Sequence, residues 1–154
     1  MVVKSLFCIP EVHSIFSVIK ELTNIEDWAA WDPEIREAKA LQKYSSNLAC
    51  YSYVKEHVPG SLYEFAEKQI IFTEEDKVYV YGSDVPGNIM GIARIEKGRT
   101  IIDAKKIYVE GGYIIVEWVR QTNERKLDDD TYSSKYSEFK DAFLKRLIGR
   151  TTNL

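Results

Sequence analysis

The feature that most constrains this chain is a long central region in which short β-rich segments alternate with turn signals. From Ile35 to Arg120, stretches rich in Val, Ile, Tyr and Phe are separated by clusters of Gly, Pro, Ser, Asn and acidic residues, which accept turn geometry. Successive strands joined by short turns pair in an antiparallel meander. We therefore predict one antiparallel sheet with strands over 35–43, 48–57, 62–73, 77–84, 91–109 and 113–121.

The longest of these segments, 91–109, contains Gly98 midway. A glycine inside a strand pattern marks either a bulge or a break between two strands. We predict a single strand bent at a bulge, with two strands joined by a turn as the alternative.

Two short helices are expected between a first strand and this central region. Residues 2–9 are rich in β-branched residues, and Pro10 ends that strand. Beyond it, apolar residues fall at helical spacing, which predicts an amphipathic helix from Pro10 onward. A second helical turn is predicted over 25–31, before Pro33. The apolar positions of the first helix are Val12, Ile15, Phe16, Ile19 and Leu22.

The C-terminal segment has the pattern of a long helix with one aromatic face. Apolar residues recur at three- and four-residue steps, and charged residues fill many of the other positions. Asp128 to Asp130 come where this helix begins, and we assign them to helix capping rather than to a cation site. The apolar face consists of Tyr132, Tyr136, Phe139, Phe143 and Leu147.

The order of these elements predicts an α+β fold in one domain over 1–154. One face of an antiparallel sheet must be covered, and only the C-terminal helix is long enough to lie across it. We therefore expect a strongly curved sheet of six or seven antiparallel strands wrapped around that helix, with two short helices after the first strand.

The charges and cysteines exclude several classes of function. The chain has 21 basic and 24 acidic residues, interspersed along its length, for a net charge of −3. A basic face for nucleic acid is therefore not expected. Cys8 and Cys50 lack the spacing of a disulfide framework or a metal site. With no export signal in view, we expect a cytoplasmic protein with no metal and no other cofactor.

Residues with the spacing of a catalytic site are scarce. The chain has no Gly-rich phosphate loop, no nucleophile-elbow motif and no paired-histidine zinc motif. His13 and His57 have no cysteine, serine or carboxylate at a spacing that specifies a triad or a metal site, and we expect both at the surface. No catalytic residue is predicted.

Short motifs along the chain follow the order and spacing of a known family. They are Trp31-Asp32-Pro33, Tyr51-Ser52-Tyr53-Val54, Leu62-Tyr63-Glu64-Phe65, Tyr79-Val80-Tyr81-Gly82-Ser83-Asp84-Val85-Pro86 and Ala93-Arg94-Ile95-Glu96. Over roughly residues 10 to 150, the chain thus resembles the steroidogenic-acute-regulatory-related lipid transfer (START) domain. It departs from the family at Tyr63 and Glu64, where Arg-Asp is usual, and at Val85, where histidine is usual.

The resemblance implies the helix-grip fold, which START domains share with pollen-allergen-like proteins and polyketide cyclases. In this fold a curved sheet and the C-terminal helix enclose a cavity. The resemblance also implies that the cavity takes one hydrophobic molecule.

Two sets of candidate cavity residues follow. The aromatic helix face and one face of the last strand either line a cavity or fill a core, and on residue type alone both alternatives stay open. Arg94 is a polar anchor for a ligand if its strand face points inward, and a solvent-exposed residue if it does not. The candidate ligand-binding residues are Tyr81, Arg94, Ile114, Val116, Trp118, Tyr136, Phe139 and Phe143.

The loop from Asp84 to Met90 carries apolar residues, which are unusual at a loop tip unless they touch something. In START domains this loop is a gate that covers the cavity mouth and meets the membrane, and the resemblance implies the same role here. The alternative is that Ile89 and Met90 fold back into the core. The candidate gate residues are Val85, Pro86, Ile89 and Met90.

The leading hypothesis is a lipid-binding or lipid-transfer protein that carries one sterol, phospholipid or similar molecule and touches membranes transiently. The first alternative is a helix-grip enzyme of the cyclase or dehydratase type, in which cavity tyrosines and Arg94 orient a hydrophobic substrate. The second is a ligand-free interaction domain with a filled core. In all three cases we expect a monomer that does not bind nucleic acid.

Overall fold

A computed structural model describes residues 1–85 and 95–152, with side chains as far as 149. Over these ranges the chain forms eight β-strands, three α-helices and one 3₁₀ turn, Ile25–Asp27. The strands are β1 Val2–Pro10, β2 Ile35–Ser45, β3 Leu48–Val58, β4 Ser61–Glu74, β5 Lys77–Asp84, β6 Ile95–Lys97, β7 Thr100–Glu110 and β8 Tyr113–Thr122. The helices are α1 Ile15–Thr23, α2 Trp28–Trp31 and α3 Asp129–Thr152.

The strands form one curved sheet, as predicted. Its order is β1-β8-β7-β5-β4-β3-β2 with antiparallel neighbours, and β6 is added in parallel to the start of β4. The β7–β8 turn consists of Gly111 and Gly112, whose φ angles are +59° and +80°. A two-residue hairpin turn of this kind favours glycine because both central residues need positive φ. No described helix is long and apolar enough to cross a membrane.

The prediction of one bulged strand over 91–109 is wrong for the part that the structure describes. Residues 95–97 form β6, which pairs with β4, whereas 100–110 form β7, which lies between β5 and β8. The break falls at Gly98, whose backbone lies against the ring of Phe65. Residues 91–94 lie outside the described ranges.

The predicted start of the first helix is also wrong. Pro10 is the last residue of β1, opposite Tyr113, and α1 begins at Ile15. The Ser14 hydroxyl caps this helix by accepting a hydrogen bond from the backbone N–H of Phe16. Val12 therefore precedes the helix, and the side chains of Val12 and Phe16 are 85% and 79% exposed.

Helix α3 crosses the concave face of the sheet with its aromatic face inward. The ring of Phe139 lies 5.4 Å from that of Phe7 on β1 and 6.0 Å from that of Phe143 on α3 itself. At the start of α3, the Asp128 carboxylate accepts a hydrogen bond from the backbone N–H of Thr131. The buried core beneath α3 consists of Phe7, Ile9, Val18, Leu22, Val80, Ile107, Ile114, Val116, Phe143 and Leu147.

A second core lies under α2, at the other end of the sheet. The ring of Tyr53 on β3 stacks on that of Phe65 on β4 at 5.2 Å and meets the indole of Trp28 edge-on at 5.4 Å. The members of this core are Ile25, Trp28, Ile35, Ala49, Tyr51, Tyr53, Tyr63 and Phe65. The indole of Trp31 packs against both cores.

Replacing Gly98 by alanine tests the packing at the β6–β7 break. An added Cβ would lie 2.3 Å from the ring of Phe65, which is fully buried. We expect Gly98→Ala to lower the free energy of unfolding by about 1–3 kcal/mol, the usual cost of overpacking. Denaturant unfolding measures the change.

Gly149→Ala is the matched control, because its added Cβ would meet no atom outside its own helix within 4 Å. Alanine favours helix, so this control should leave stability unchanged or raise it slightly. Equal stabilities for wild type and Gly98→Ala would show that β6 does not pack on Phe65 as described.

Candidate ligand-binding pocket

A pocket of about 150 Å³ lies between the first half of α3 and the concave face of the sheet. It reaches β1 at one end and α2 and the start of β2 at the other. Its lining residues are Met1, Val3, Ser5, Phe7, Trp28, Asp32, Glu34, Ile35, Lys55, His57, Trp118, Arg120, Tyr132, Lys135, Tyr136 and Phe139.

One wall of the pocket is aromatic. The rings of Phe7 and Tyr136 stack at 5.0 Å, and that of Phe139 packs edge-on against Trp118 at 5.6 Å. The Tyr136 hydroxyl donates a hydrogen bond to the backbone carbonyl of Leu6, which ties α3 to β1. This wall offers a flat apolar surface to a ligand.

The opposite side is charged and centres on Arg120 of β8. Its Nη1 lies 2.5 Å from Oδ2 of Asp103, and its Nη2 donates to the Tyr53 hydroxyl at 2.7 Å. Its Cζ lies 5.0 Å from the centre of the Phe65 ring. The guanidinium is thus held by a carboxylate, a hydroxyl and an aromatic face, and it presents a fixed positive group to the pocket.

Asp103 is the main acceptor of this charged cluster. Its Oδ1 accepts hydrogen bonds from the Trp118 indole at 2.7 Å and from Lys105 Nζ at 3.2 Å. Burial alone would raise the pKa of Asp103, but Lys105 and Arg120 lower it to about 2. The carboxylate is therefore charged at neutral pH although it is only 1% exposed.

The pKa of Glu67 on β4 is shifted in the opposite direction. The Tyr53 hydroxyl donates to its Oε2 at 2.7 Å. Burial, followed by repulsion from Asp103, raises the pKa of Glu67 to about 7. Glu67 fits because Gly82 on β5 has no side chain: a Cβ there would lie 1.7 Å from Glu67 Oε1.

Two lysines of the lining also pair with carboxylates, Lys55 with Glu124 and Lys135 with Glu34. Lys55 Nζ lies 2.9 Å from the buried Glu124, and His57 Nδ1 lies 3.0 Å from the same carboxylate. Burial alone would raise the pKa of Glu124, but His57 and Lys55 hold it well below its usual range. Lys135 on α3 pairs with Glu34 at 2.5 Å, which fastens the helix to the start of β2.

Asp32 lies where α2 ends, on the same side of the pocket. Its Oδ1 accepts a hydrogen bond from the backbone N–H of Glu34 at 2.9 Å. Burial, opposed by that hydrogen bond, raises the pKa of Asp32 to about 6. No cluster of three metal-ligating side chains occurs in the part of the chain that the structure describes.

Three of the predicted ligand-binding residues line this pocket: Trp118, Tyr136 and Phe139. Ile114, Val116 and Phe143 are instead buried in the core beneath α3. Tyr81 is 44% exposed and packs edge-on against Phe72 on the convex face. It does not reach the pocket, because odd-numbered positions of β5 point away from the side on which Val80 is buried.

The polar anchor and most of the gate fall outside the described ranges. This applies to Arg94, Pro86, Ile89 and Met90. Val85 is described and half-buried, and its backbone N–H donates to the carbonyl of Ala66 at 3.0 Å.

The charged side of the pocket was not predicted, although the sequence carries a signal for it. Ile114, Val116 and Trp118 alternate along β8, and one more step of two reaches Arg120. The same rule on β3 leads from Tyr53 to Lys55 and His57. The prediction that His57 lies at the surface is wrong, because its side chain is 2% exposed.

Comparisons with known proteins bear on the fold. No protein-family model matches the sequence, and no curated protein does. Among solved structures, human StAR-related lipid transfer protein 5 matches with a TM-score of 0.74 at 10% identity, over 97% of this chain and 76% of that one. Human STARD10 matches at 0.72 and 12% identity, over 94% and 63%.

The chain has the helix-grip fold. The resemblance predicted from the motifs is thus confirmed at the level of architecture. The di-domain ARO/CYC protein StfQ, from the steffimycin biosynthetic pathway, also matches, with a TM-score of 0.62 at 11% identity over 99% of this chain and 53% of that one. This chain spans less than two thirds of the length of the STARD10 and StfQ structures. Several kinds of helix-grip protein therefore share its architecture.

The shifted carboxyls predict how stability depends on pH. The pKa of Glu67 rises from its ordinary 4.5 to about 7 on folding, so its contribution is fully present below pH 4.5 and is lost as the pH rises to about 7. The contribution of Asp32 to stability is likewise lost as the pH rises, up to about pH 6. The contribution of Asp103 depends on pH in the opposite direction and is lost as the pH falls towards 2. For Glu67 the loss amounts to about 3 kcal/mol, since one pKa unit corresponds to about 1.4 kcal/mol.

Denaturant unfolding of wild type and Glu67→Gln between pH 4.5 and 7.5 measures this term. The glutamine can still accept the Tyr53 hydrogen bond, so the variant should fold and should show a shallower decline in stability with pH. Glu74→Gln, at the exposed end of the same strand, is the matched control and should keep the wild-type slope. The same slope in all three proteins would mean that Glu67 is ionised in the folded protein at pH 5.

Proposed function

We propose that this protein binds one hydrophobic or amphipathic molecule, such as a lipid, in the pocket between α3 and the sheet and carries it in solution. The observation that supports this most strongly is the asymmetry of the pocket. It has an aromatic wall at Phe7, Trp118 and Phe139 and a charged side at Arg120 and Lys55. Pockets that bury an apolar body and orient it with a few polar groups have this composition.

The size of the pocket limits how much of a ligand it holds. Its 150 Å³ is below the range of about 300–1,000 Å³ that is usual for ligand pockets. A sterol or phospholipid would place one end in this space and leave the rest of the molecule outside it. We expect a monomer, located in the cytoplasm, that contacts membranes transiently through the gate residues Val85, Pro86, Ile89 and Met90.

The second candidate is an enzyme that acts on a hydrophobic substrate. It is favoured by Asp32, whose pKa of about 6 suits proton transfer near neutral pH, beside the cation of Arg120. A fold like that of the ARO/CYC protein StfQ is compatible with such chemistry. The two functions differ in the fate of the ligand: a carrier releases the molecule that it took up, and an enzyme releases one of different structure.

Filling the pocket tests the proposal. Ser5 on β1 lines the pocket, whereas its neighbour Lys4 points outward on the same strand. We expect Ser5→Trp to reduce the uptake of a fluorescent sterol or phosphatidylcholine from vesicles at least tenfold, because the indole occupies the ligand's space. Lys4→Trp, the matched control, should take up lipid like wild type.

Native mass spectrometry of the same three proteins after incubation with vesicles reads out occupancy directly. One bound lipid per wild-type chain, absent from Ser5→Trp, is the expected result. Equal lipid uptake by Ser5→Trp and Lys4→Trp would show that the lipid binds outside this pocket. No uptake by any of the proteins would favour the ligand-free interaction domain.

A further inference from the structure

The lysine and arginine side chains that line the pocket already have partners. Each lies within 4 Å of a carboxylate, so a ligand need not neutralise any of them. The pairs are Arg120 with Asp103, Lys55 with Glu124, and Lys135 with Glu34.

Asp32 is different. Within the described residues its carboxylate forms no ion pair, and its hydrogen bond comes from the backbone N–H of Glu34. That bond occupies Oδ1 and leaves acceptor capacity on the carboxylate, which lines the pocket and is desolvated. A desolvated carboxylate without a cation is costly, and a hydrogen-bond donor brought by a ligand lowers that cost.

Trp28 offers the complementary group. Its side chain lines the pocket and is 6% exposed, and its indole N–H is buried without a hydrogen-bond partner among the described residues. Trp28 and Asp32 are one helical turn apart, since the backbone N–H of Asp32 donates to the carbonyl of Trp28 at 2.8 Å. Both residues line the same pocket, so an unused donor and an unused acceptor belong to one lining.

We propose that this pair recognises a hydroxyl group on a neutral ligand, which donates to Asp32 and accepts from the indole N–H of Trp28. A hydroxyl supplies one donor and two acceptor lone pairs, which matches both groups at once. This inference rests on the proposed function and names the chemistry of the ligand.

The charge of the lining favours a neutral group over a charged one. Among its lysines, arginine and carboxylates, the described lining has three cations and two anions. An ammonium group at Asp32 would be repelled by Lys55 and Arg120, both of which act electrostatically on this carboxylate. A carboxylate ligand would be repelled by Asp32 itself. A neutral hydroxyl group is repelled neither by the cations nor by Asp32.

The volume sets the size of the group that carries the hydroxyl. A cavity of about 150 Å³ holds a molecule the size of benzene, and the pocket has this volume. Its wall of Phe7, Trp118 and Phe139 suits one ring. The end of the ligand that enters the pocket is therefore a single hydroxyl-bearing ring, as in a phenol or a ring alcohol.

The direct test compares 4-methylphenol with toluene, which differs only in lacking the hydroxyl. Chemical-shift titrations of the wild-type protein should give a dissociation constant for 4-methylphenol roughly tenfold lower than for toluene, the usual effect of a hydrogen bond to a charged group. Asp32→Asn keeps an acceptor for the Glu34 N–H, and Trp28→Phe keeps the aromatic wall, so both should fold. Each variant should lose most of the preference and still bind toluene.

Trp31→Phe is the matched control. The Trp31 indole N–H is also buried without a partner, but its ring packs on Phe139 and Phe143 and does not line the pocket. This variant should keep the preference of wild type for 4-methylphenol. Equal affinities of wild type for the two probes, or a preference that survives both Asp32→Asn and Trp28→Phe, would overturn the inference.

The lipid-uptake measurement separates this inference from the proposed function. If wild type takes up lipid, Ser5→Trp does not, and neither ring compound binds, then the hydroxyl-bearing ring is the wrong ligand class and the carrier function stands. If no lipid and neither ring compound binds to wild type, both proposals fail.

Discussion

The interaction on which the rest of the pocket depends is the buried contact between Asp103 and its three donors. The indole of Trp118, the ammonium of Lys105 and the guanidinium of Arg120 all converge on this carboxylate. Removing such a group from water costs several kcal/mol, and only a full set of donors offsets that cost. Because the donors come from β7 and β8, Asp103 fixes both the aromatic wall, through Trp118, and the charged side, through Arg120. Asp103 thus positions the two side chains, Trp118 and Arg120, that face a ligand.

A sheet with one continuous apolar face would pack fully against α3 and leave no pocket. Here the charged pair Asp103 and Arg120 joins Trp118, which packs against the core beneath α3, to Tyr53 of the second core. Charged side chains do not fill space as densely as interlocking aliphatic ones, and each must be hydrogen-bonded or partly hydrated. The space that remains beside Arg120 is the pocket. The charged side chains therefore account both for the polarity of the pocket and for its small volume.

Much of the fold could be predicted because it is local. Stretches rich in Val, Ile, Tyr and Phe between turn signals predicted the strands, and the spacing of aromatic residues predicted α3. The prediction of one strand over 91–109 failed because the break is set by a non-local contact. The break at Gly98 depends on the pairing of β6 with β4, about thirty residues earlier in the chain. Of the pocket residues, Trp118 could be predicted because inward-facing positions alternate along β8. Asp32 could not be predicted, because its proposed role depends on the absence of an ion pair, which only the folded structure shows.

The central claim is that a ligand binds between α3 and the charged side of the sheet, and the three tryptophans test it directly. Trp28 and Trp118 line the pocket, whereas Trp31 lies outside it. In a ¹H–¹⁵N spectrum with the indole signals assigned from single Trp→Phe variants, added lipid should shift the Trp28 and Trp118 signals and leave the Trp31 signal in place. A shift of the Trp31 signal alone, or no indole shift while lipid is bound, would contradict the claim.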